Sequence, residues 1–192
     1  MNAVFLLLLT LFITGCGFQL RGMDSLGQLQ FKTVFVQNES QARIEIQQAL
    51  RKQLALSGVQ RVDLASQAEV VIRLQPTSYK VSRTAFSGQG DATAELLKMS
   101  QSFTAFWGLT GNTLVTGTVE TYRDRQIETA ALLASEQEVI GMRQSMAEAL
   151  ARQMMDRINR AVQKQFGLSE SAADSAVNPV NSAQPAHDVN AK

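Results

Sequence analysis

Apolar residues recur every three to four positions in two parts of this chain and every second position between them, and this change of period most restricts the fold. The first helical stripe comprises Ala42, Ile46, Ala49, Leu50 and Leu54. Its spacing predicts an amphipathic helix with one buried face. The polar run Asn38-Glu39-Ser40-Gln41 offers N-cap chemistry, so we expect this helix to start at Asn38 and to stop at Gly58.

The second helical stripe is longer and rich in methionine. It comprises Val139, Met142, Met146, Leu150, Met154, Ile158 and Val162. Ser135-Glu136-Gln137-Glu138 has the S-x-x-E form of a capping box, which predicts a helix from Ser135 to near Gly167. A methionine-rich stripe can serve as an adaptable binding surface, but we favour its packing against a sheet.

Three strands are predicted between the stripes, and residues 32–36 form another before them. The first of the three begins near Ala68 and is interrupted at Pro76, as at an edge or a bulge. A turn over residues 87–91 leads to a second strand, whose apolar face holds Leu97, Met99, Phe103 and Ala105. A hairpin at Gly111-Asn112 then leads to a third strand over residues 113–122.

The order of these elements, β-α-β-β-β-α, predicts the architecture. We expect an α/β (α+β) two-layer sandwich, with two helices packed on one face of a four-stranded, largely antiparallel sheet. Residues 16–168 form this single domain. Residues 169–192 are dominated by Ser, Ala, Asn, Asp and Pro and are predicted to be a disordered tail.

Residues 1–15 are predicted to be a lipoprotein signal peptide. Ile13-Thr14-Gly15-Cys16 has the form of the bacterial lipobox, and the apolar run before it is shorter than the roughly 20 residues that cross a bilayer. A plain secretory signal and a buried core segment are the alternatives. We expect lipid on Cys16, the only cysteine, which leaves no disulfide or thiolate site. Gly17 at the next position favours the periplasmic face of the outer membrane.

Side chains suited to catalysis are scarce. The only histidine, His187, lies in the predicted tail, and the chain has no phosphate loop, no nucleophile motif and no clustered set of metal ligands. We therefore expect no enzyme activity, no cofactor and no metal. The 18 Lys and Arg nearly balance the 17 Asp and Glu, which argues against a nucleic-acid partner.

The sheet face opposite the helices is predicted to be polar. Its positions are Lys98, Ser100, Ser102 and Thr104 on one strand and Thr116, Thr118 and Glu120 on the next. Such a face is either solvated or lines a wet, polar cavity. Four basic residues near strand ends either are scattered surface charge or gather at one edge to bind an anionic group such as a lipid phosphate: Lys80, Arg83, Arg123 and Arg125.

The run Cys16-Gly17-Phe18-Gln19-Leu20-Arg21-Gly22, together with the element order and the tail, resembles the lipopolysaccharide-assembly lipoprotein LptE family. The resemblance spans roughly residues 13–168. It implies a non-catalytic outer-membrane lipoprotein that forms a heterodimer with the barrel protein LptD. There it acts as a plug, assists assembly of the barrel and helps to deliver lipopolysaccharide to the cell surface.

Within this resemblance, the four basic residues are candidate contacts to lipopolysaccharide phosphates. One departure is Asp91, which follows the glycine turn where family members are expected to carry a basic residue. Two other functions remain open from the residues: an accessory lipoprotein of the barrel-assembly machinery, and a cell-wall enzyme or binding lipoprotein.

Overall fold

The computed structural model describes residues 29–127 and 132–177, with side chains for residues 29–127 and 135–166. The predicted signal peptide, Cys16 and residues 178–192 of the predicted tail lie outside the described residues.

Within residues 29–127 and 132–177, six strands form one mixed sheet. In chain order they are β1 (Thr33–Gln37), β2 (Gln60–Arg61), β3 (Val70–Leu74), β4 (Ser78–Phe86), β5 (Ala92–Trp107) and β6 (Thr113–Gln126). β1 pairs in parallel with β2 and β3, whereas β5 pairs antiparallel with β3, β4 and β6. The prediction of four strands was low by two, because β2 is too short to show a period and the interrupted strand is divided into β3 and β4.

β3 and β4 lie one after the other along the same edge of β5. Leu74 pairs with Phe103 and Ser78 pairs with Ser100, so four steps on one strand match three steps on the other. The extra residue is a bulge around Pro76, which has no amide to donate to a ladder. The predicted interruption is therefore confirmed. Across the sheet the order is β2, then β1, then β3 and β4 end to end, then β5 and finally β6.

Two helices, α1 (Ile44–Leu56) and α2 (Leu132–Val177), pack against each other, and α2 also contacts β5 and β6. The whole first predicted stripe is buried, and so are the α2 residues Met146, Leu150, Met154, Ile158 and Val162. Each buried side chain of this size contributes about 1.5–3 kcal/mol of transfer free energy. The methionine stripe is thus part of the core, and the predicted fold class is confirmed.

The predicted start of the first helix is wrong. Asn38 has a φ of 59°, in the left-handed region, and its side chain makes no capping hydrogen bond. A single 3-10 turn follows at Glu39–Gln41, and the α-helix begins only at Ile44. The amide of Arg43, just before the helix, donates to Thr77 Oγ1 at 2.9 Å. This hydrogen bond joins the Pro76 bulge to the start of α1.

The second helix begins before the predicted capping box and ends after the predicted stop. Ser135 lies three residues inside a helix that starts at Leu132, so its hydroxyl does not cap the helix. Instead, the hydroxyl accepts a hydrogen bond from Nη2 of Arg125. The helix continues beyond Gly167 to Val177, so residues 169–177 have a helical backbone. The domain boundary at residue 168 stays a prediction.

Two turns connect the long strands as predicted. Gly90 in the β4–β5 turn has a φ of 88°, and Gly111 in the β5–β6 turn has a φ of 70°. These are left-handed conformations that glycine adopts without steric cost. The β4–β5 turn and the end of β6 lie together, since the amide of Ile127 donates to the carbonyl of Thr93 at 2.9 Å. This end of the sheet also holds the predicted basic residues.

Candidate functional site

The sheet face away from the helices carries a ladder of hydroxyl groups. Ser102 pairs with Thr118, and Thr104 pairs with Thr116, across β5 and β6. The hydroxyls of the two pairs are hydrogen bonded at 2.7 and 3.2 Å. Such cross-strand pairs stabilise a sheet without apolar contact. The predicted polar face is present, and its chemistry suits a wet, polar partner surface.

One end of this outer face carries charge. Lys98 Nζ lies 2.9 Å from the Glu120 carboxylate and 5.2 Å from the centre of the Tyr122 ring. Hydrogen bonds with Tyr122 and Glu120 raise the pKa of Lys98, and the hydrogen bond from Lys98 lowers the pKa of Glu120. Both side chains are therefore charged at neutral pH. Lys80 stands directly opposite Lys98 in the register, which places a second cation in the same row.

The helix-side face at this end is organised around Glu95. Glu95 pairs in register with Arg83 on β4 and with Arg125 on β6. Arg125 has a side chain only 10% exposed and contacts Glu95 at 3.2 Å and Glu138 at 3.4 Å. With its hydrogen bond to Ser135, Arg125 joins the end of β6 to the first turns of α2. Its charge is therefore already neutralised within the fold.

The four predicted basic residues lie near one end of the sheet but do not share a surface. Side chains alternate between faces along a strand, so Arg83, Arg123 and Arg125 lie on the helix side and Lys80 lies on the outer face. Among the described residues, Lys80 and Arg83 have no ion-pair partner. The four residues thus gather at one end of the sheet but divide between its two faces, and the phosphate contacts stay a prediction.

A cavity of about 370 Å³ lies beside this end of the sheet. It is lined by Arg125, Ser135, Glu136, Val139, Ile140 and Arg143. Close to it, the hydroxyl of Tyr79 and Nε of Arg143 are buried without a hydrogen-bond partner among the described residues, and burial raises the pKa of Tyr79. Nε of Arg143 lies 3.5 Å from Glu45, which is ion-pair distance without hydrogen-bond geometry. No period or motif in the sequence indicated this group.

A second cavity, of about 330 Å³, lies at the opposite end of the sheet. Trp107 and Phe166 meet edge to face there, with ring centres 5.8 Å apart, and Leu109 is 87% exposed. The cavity is also lined by Gln30, Glu69 and Thr110. The structure thus has a polar, charged end and an apolar end, separated by the length of β5.

One protein-family model matches the chain. The family is described as LptE, lipopolysaccharide-assembly, and the match covers residues 31–158, which include all six strands, the first helical stripe and the second stripe as far as Ile158. The chain belongs to the LptE family. The resemblance drawn from the sequence is therefore confirmed, and the surfaces described above are those of a lipopolysaccharide-assembly protein.

Solved structures share the LptE-family fold of this chain. Lipoprotein B from Nitrosomonas europaea is 18% identical with a TM-score of 0.61, and the alignment covers 80% of this chain and 96% of that one. Rare lipoprotein B from Shewanella oneidensis is 20% identical with a TM-score of 0.54, over 72% and 99% of the two chains. A minor lipoprotein from Acinetobacter baumannii is 20% identical with a TM-score of 0.51, over 69% and 93%. No curated protein matches the chain.

Within residues 29–127 and 132–177, neither helix has the length and apolarity to cross a membrane. Over the same described residues, no group of three or more His, Cys, Asp or Glu side chains is arranged to hold a metal ion.

Proposed function

We propose that this LptE-family chain is a non-catalytic, lipid-anchored partner of an LptD-type outer-membrane barrel. It acts as a plug and scaffold, assists assembly of the barrel and helps to deliver lipopolysaccharide to the cell surface. The observation that carries the proposal is the two-sided body: helices close one sheet face, and the other face is a hydroxyl ladder. Because the interior of a large outer-membrane barrel is polar, such a face suits its lumen wall.

The anchor in this proposal is lipid on Cys16, at the periplasmic face of the outer membrane. Each buried methylene of an acyl chain contributes about 0.8 kcal/mol of membrane affinity, and two or more chains together give a stable attachment. Anchoring confines the folded body to the membrane that holds its partner. The barrel then meets a high local concentration of the chain.

Lipopolysaccharide contact is a further part of the proposal. Lys80, Arg83 and Arg123 have no carboxylate partner among the described residues and are available to phosphate groups. Arg125 is held by Glu95 and Glu138, so we assign it to positioning this end of the sheet. Asp91 in the nearby turn adds a negative charge that weakens attraction of phosphate at the tip itself.

Affinity purification tests the partnership. The full-length chain, tagged at its C-terminus, is isolated from native outer membranes in a mild detergent, and a single large barrel is expected to accompany it. Thr116→Trp places a bulky group on the exposed outer face, and Gln48→Trp places the same group on an exposed position of α1. We expect Thr116→Trp to lower barrel recovery at least about tenfold and Gln48→Trp to retain it.

Recovery of the free chain alone contradicts the proposal. Recovery of several lipoproteins with a different barrel supports the alternative, an accessory role in the barrel-assembly machinery. Equal loss of the barrel in both tryptophan variants shows that the hydroxyl ladder is not the contacting surface.

A further inference from the structure

β6 is the outermost strand on one side of the sheet, and its only strand partner among the described residues is β5. From Val115 to Gln126 its register with β5 runs without a shift. A long edge without a bulge presents a row of backbone donors and acceptors to another extended chain. The side chains around this edge decide which chain it can accept.

Hydrogen bonds elsewhere in the sheet show which peptide groups point outward. The amide of Gln75 donates to the carbonyl of Ser102 at 3.0 Å, so the peptide groups of Ser102 face β3. Ser102 and Thr118 are therefore a non-hydrogen-bonded pair of the β5–β6 ladder, and the peptide groups of Thr118 face away from β5. Because backbone orientation alternates along a strand, every second residue of β6 has its N–H and C=O pointing away from β5. These residues are Thr116, Thr118, Glu120, Tyr122, Asp124 and Gln126.

Two outward carbonyls are already bonded by arginines. Nη1 of Arg157, from α2, donates to the carbonyl of Thr118 at 2.9 Å, and Nη1 of Arg123 donates to the carbonyl of Tyr122 at 2.8 Å. Gly117 leaves room for this arrangement, because a Cβ there would lie 3.2 Å from Nη1 of Arg157. Within the described residues the outward amides have no partner, so the edge offers free N–H donors between two guanidinium groups.

The charge of this edge is unbalanced. Neither Arg157 nor Arg123 has a carboxylate within ion-pair distance among the described residues, and each guanidinium has five N–H donors. Glu120 lies between them, but Lys98 holds its carboxylate on the outer face. Two copies pairing along β6 would bring these arginines against each other, which is unfavourable. A strand that carries carboxylates would instead pair with them bidentately.

We infer that the β6 edge from Thr116 to Tyr122 is a strand-addition site for an extended, acidic segment of the barrel partner. The inference rests on the proposed function. The walls of a closed barrel have no free strand edge, so the occupant is a segment that lies inside the lumen rather than a wall strand. Backbone pairing supplies the attachment, and the two arginines select for carboxylates.

Proline tests the backbone part of this site. Thr118→Pro removes one outward amide without removing any hydrogen bond to β5, and edge strands accept proline at such positions. Thr118→Val is the matched control, because it also loses the hydroxyl but keeps the amide. In co-expression of the full chain with its LptD-type barrel, we expect Thr118→Pro to lower recovery of the barrel at least about tenfold relative to Thr118→Val.

Charge reversal at Arg157 tests whether this arginine selects for carboxylates. Arg157→Glu is expected to lower recovery of the barrel about as strongly as the proline, whereas Arg157→Lys retains more of it. Circular dichroism melts of each purified variant check that the domain is folded. If Thr118→Pro does not fold, the comparison of Arg157→Glu with Arg157→Lys decides whether the edge binds the barrel.

The outcomes separate this inference from the proposed function. If the wild-type chain binds the barrel and the folded proline and glutamate variants bind it equally well, edge pairing is wrong and the partnership stands. If the wild-type chain does not bind the barrel, both fail. If the variants instead abolish a dimer of this chain, as seen by light scattering, the occupant of the edge is a second copy and the inference is overturned.

Discussion

At the scale of single residues, Gln101 shows how one polar side chain organises an apolar core. It is fully buried on the helix side of β5. Its Nε2 donates to the carbonyls of Gln75 and Ser102 at 2.6 and 2.9 Å, and its Oε1 accepts from Thr77 at 2.6 Å. Thr77 in turn accepts from the amide of Arg43. The bulge and the start of α1 therefore depend on one glutamine.

Gln101→Leu should destabilise the domain by about 2 kcal/mol, because it removes three hydrogen bonds and leaves the Thr77 hydroxyl without its acceptor and the Gln75 carbonyl without its donor. Chemical denaturation followed by circular dichroism measures this loss as a lower midpoint. Gln89→Leu, in the exposed β4–β5 turn, is the control and should change stability by less than about 0.5 kcal/mol. An unchanged midpoint for Gln101→Leu would show that water replaces the lost bonds.

The ion pairs of Glu39 make stability depend on pH. Burial alone would raise the pKa of Glu39, but hydrogen bonds from Arg51 and Arg61 hold it below its usual value of 4.5. A depressed folded-state pKa adds stability above the unfolded value, and that stability is lost as the pH falls through the folded value. We therefore expect the melting temperature to decrease as the pH is lowered past about 4.5.

Glu39→Gln should cost about 1 kcal/mol at neutral pH and reduce the acid-dependent part of that fall. Thermal melts between pH 7 and pH 3 compare it with Glu136→Gln, an exposed position without an ion pair among the described residues. A wild-type pH dependence in Glu39→Gln would mean that other carboxylates, such as Glu45, carry the effect.

At the scale of elements, the spacing of apolar residues predicted the buried faces of the helices, whereas the capping motifs did not predict where the helices start. The stripes of α1 and α2 predicted the buried residues because burial depends on the face of a helix, which the sequence records directly. The helix starts were wrong because a cap depends on tertiary partners: Asn38 takes a left-handed conformation before a turn, and Ser135 binds Arg125. A four-residue motif cannot distinguish a cap from a polar group that contacts another element.

Met154 provides the test of the element-scale packing. It is fully buried on the α2 stripe, so Met154→Ala should cost about 2–5 kcal/mol through lost burial and a residual cavity. Met154→Leu, which keeps the volume, should cost less than about 1.5 kcal/mol. Denaturant midpoints of the two variants measure the difference. Similar values for both would indicate that α2 repacks and that the stripe is an adaptable surface.

At the scale of the whole molecule, the sequence indicated the polar face but left the arrangement of the basic residues open. The polar face follows from alternation within a strand, which is local. Whether Lys80 shares a face with Arg83, Arg123 and Arg125 depends on how β4 and β6 pair with β5, and that pairing joins distant parts of the chain. The link from Arg157 to the β6 edge joins residues 39 positions apart in the chain, so no local pattern contains it.

Lipopolysaccharide binding tests the charge distribution of the whole molecule. Changing Lys80, Arg83 and Arg123 together to Glu should weaken binding of purified lipopolysaccharide by about tenfold or more, because phosphate contacts are lost and repulsion replaces them. The control changes three exposed α2 cations to Glu: Arg152, Arg160 and Lys164. Equal loss in both triple variants would indicate general charge attraction, and no loss in either would exclude a phosphate role for the three residues.

The parallel pairing of β1 with β3 has a consequence for how the domain is made. β1 is the first of the strands to be synthesised, yet its longer partner β3 begins at Val70, and the core is completed only by α2 residues as far as Val162. Long-range contacts of this kind slow folding relative to local ones. A partly synthesised chain therefore cannot complete its core early, and this delay would suit the export of an unfolded chain that the proposed periplasmic location requires.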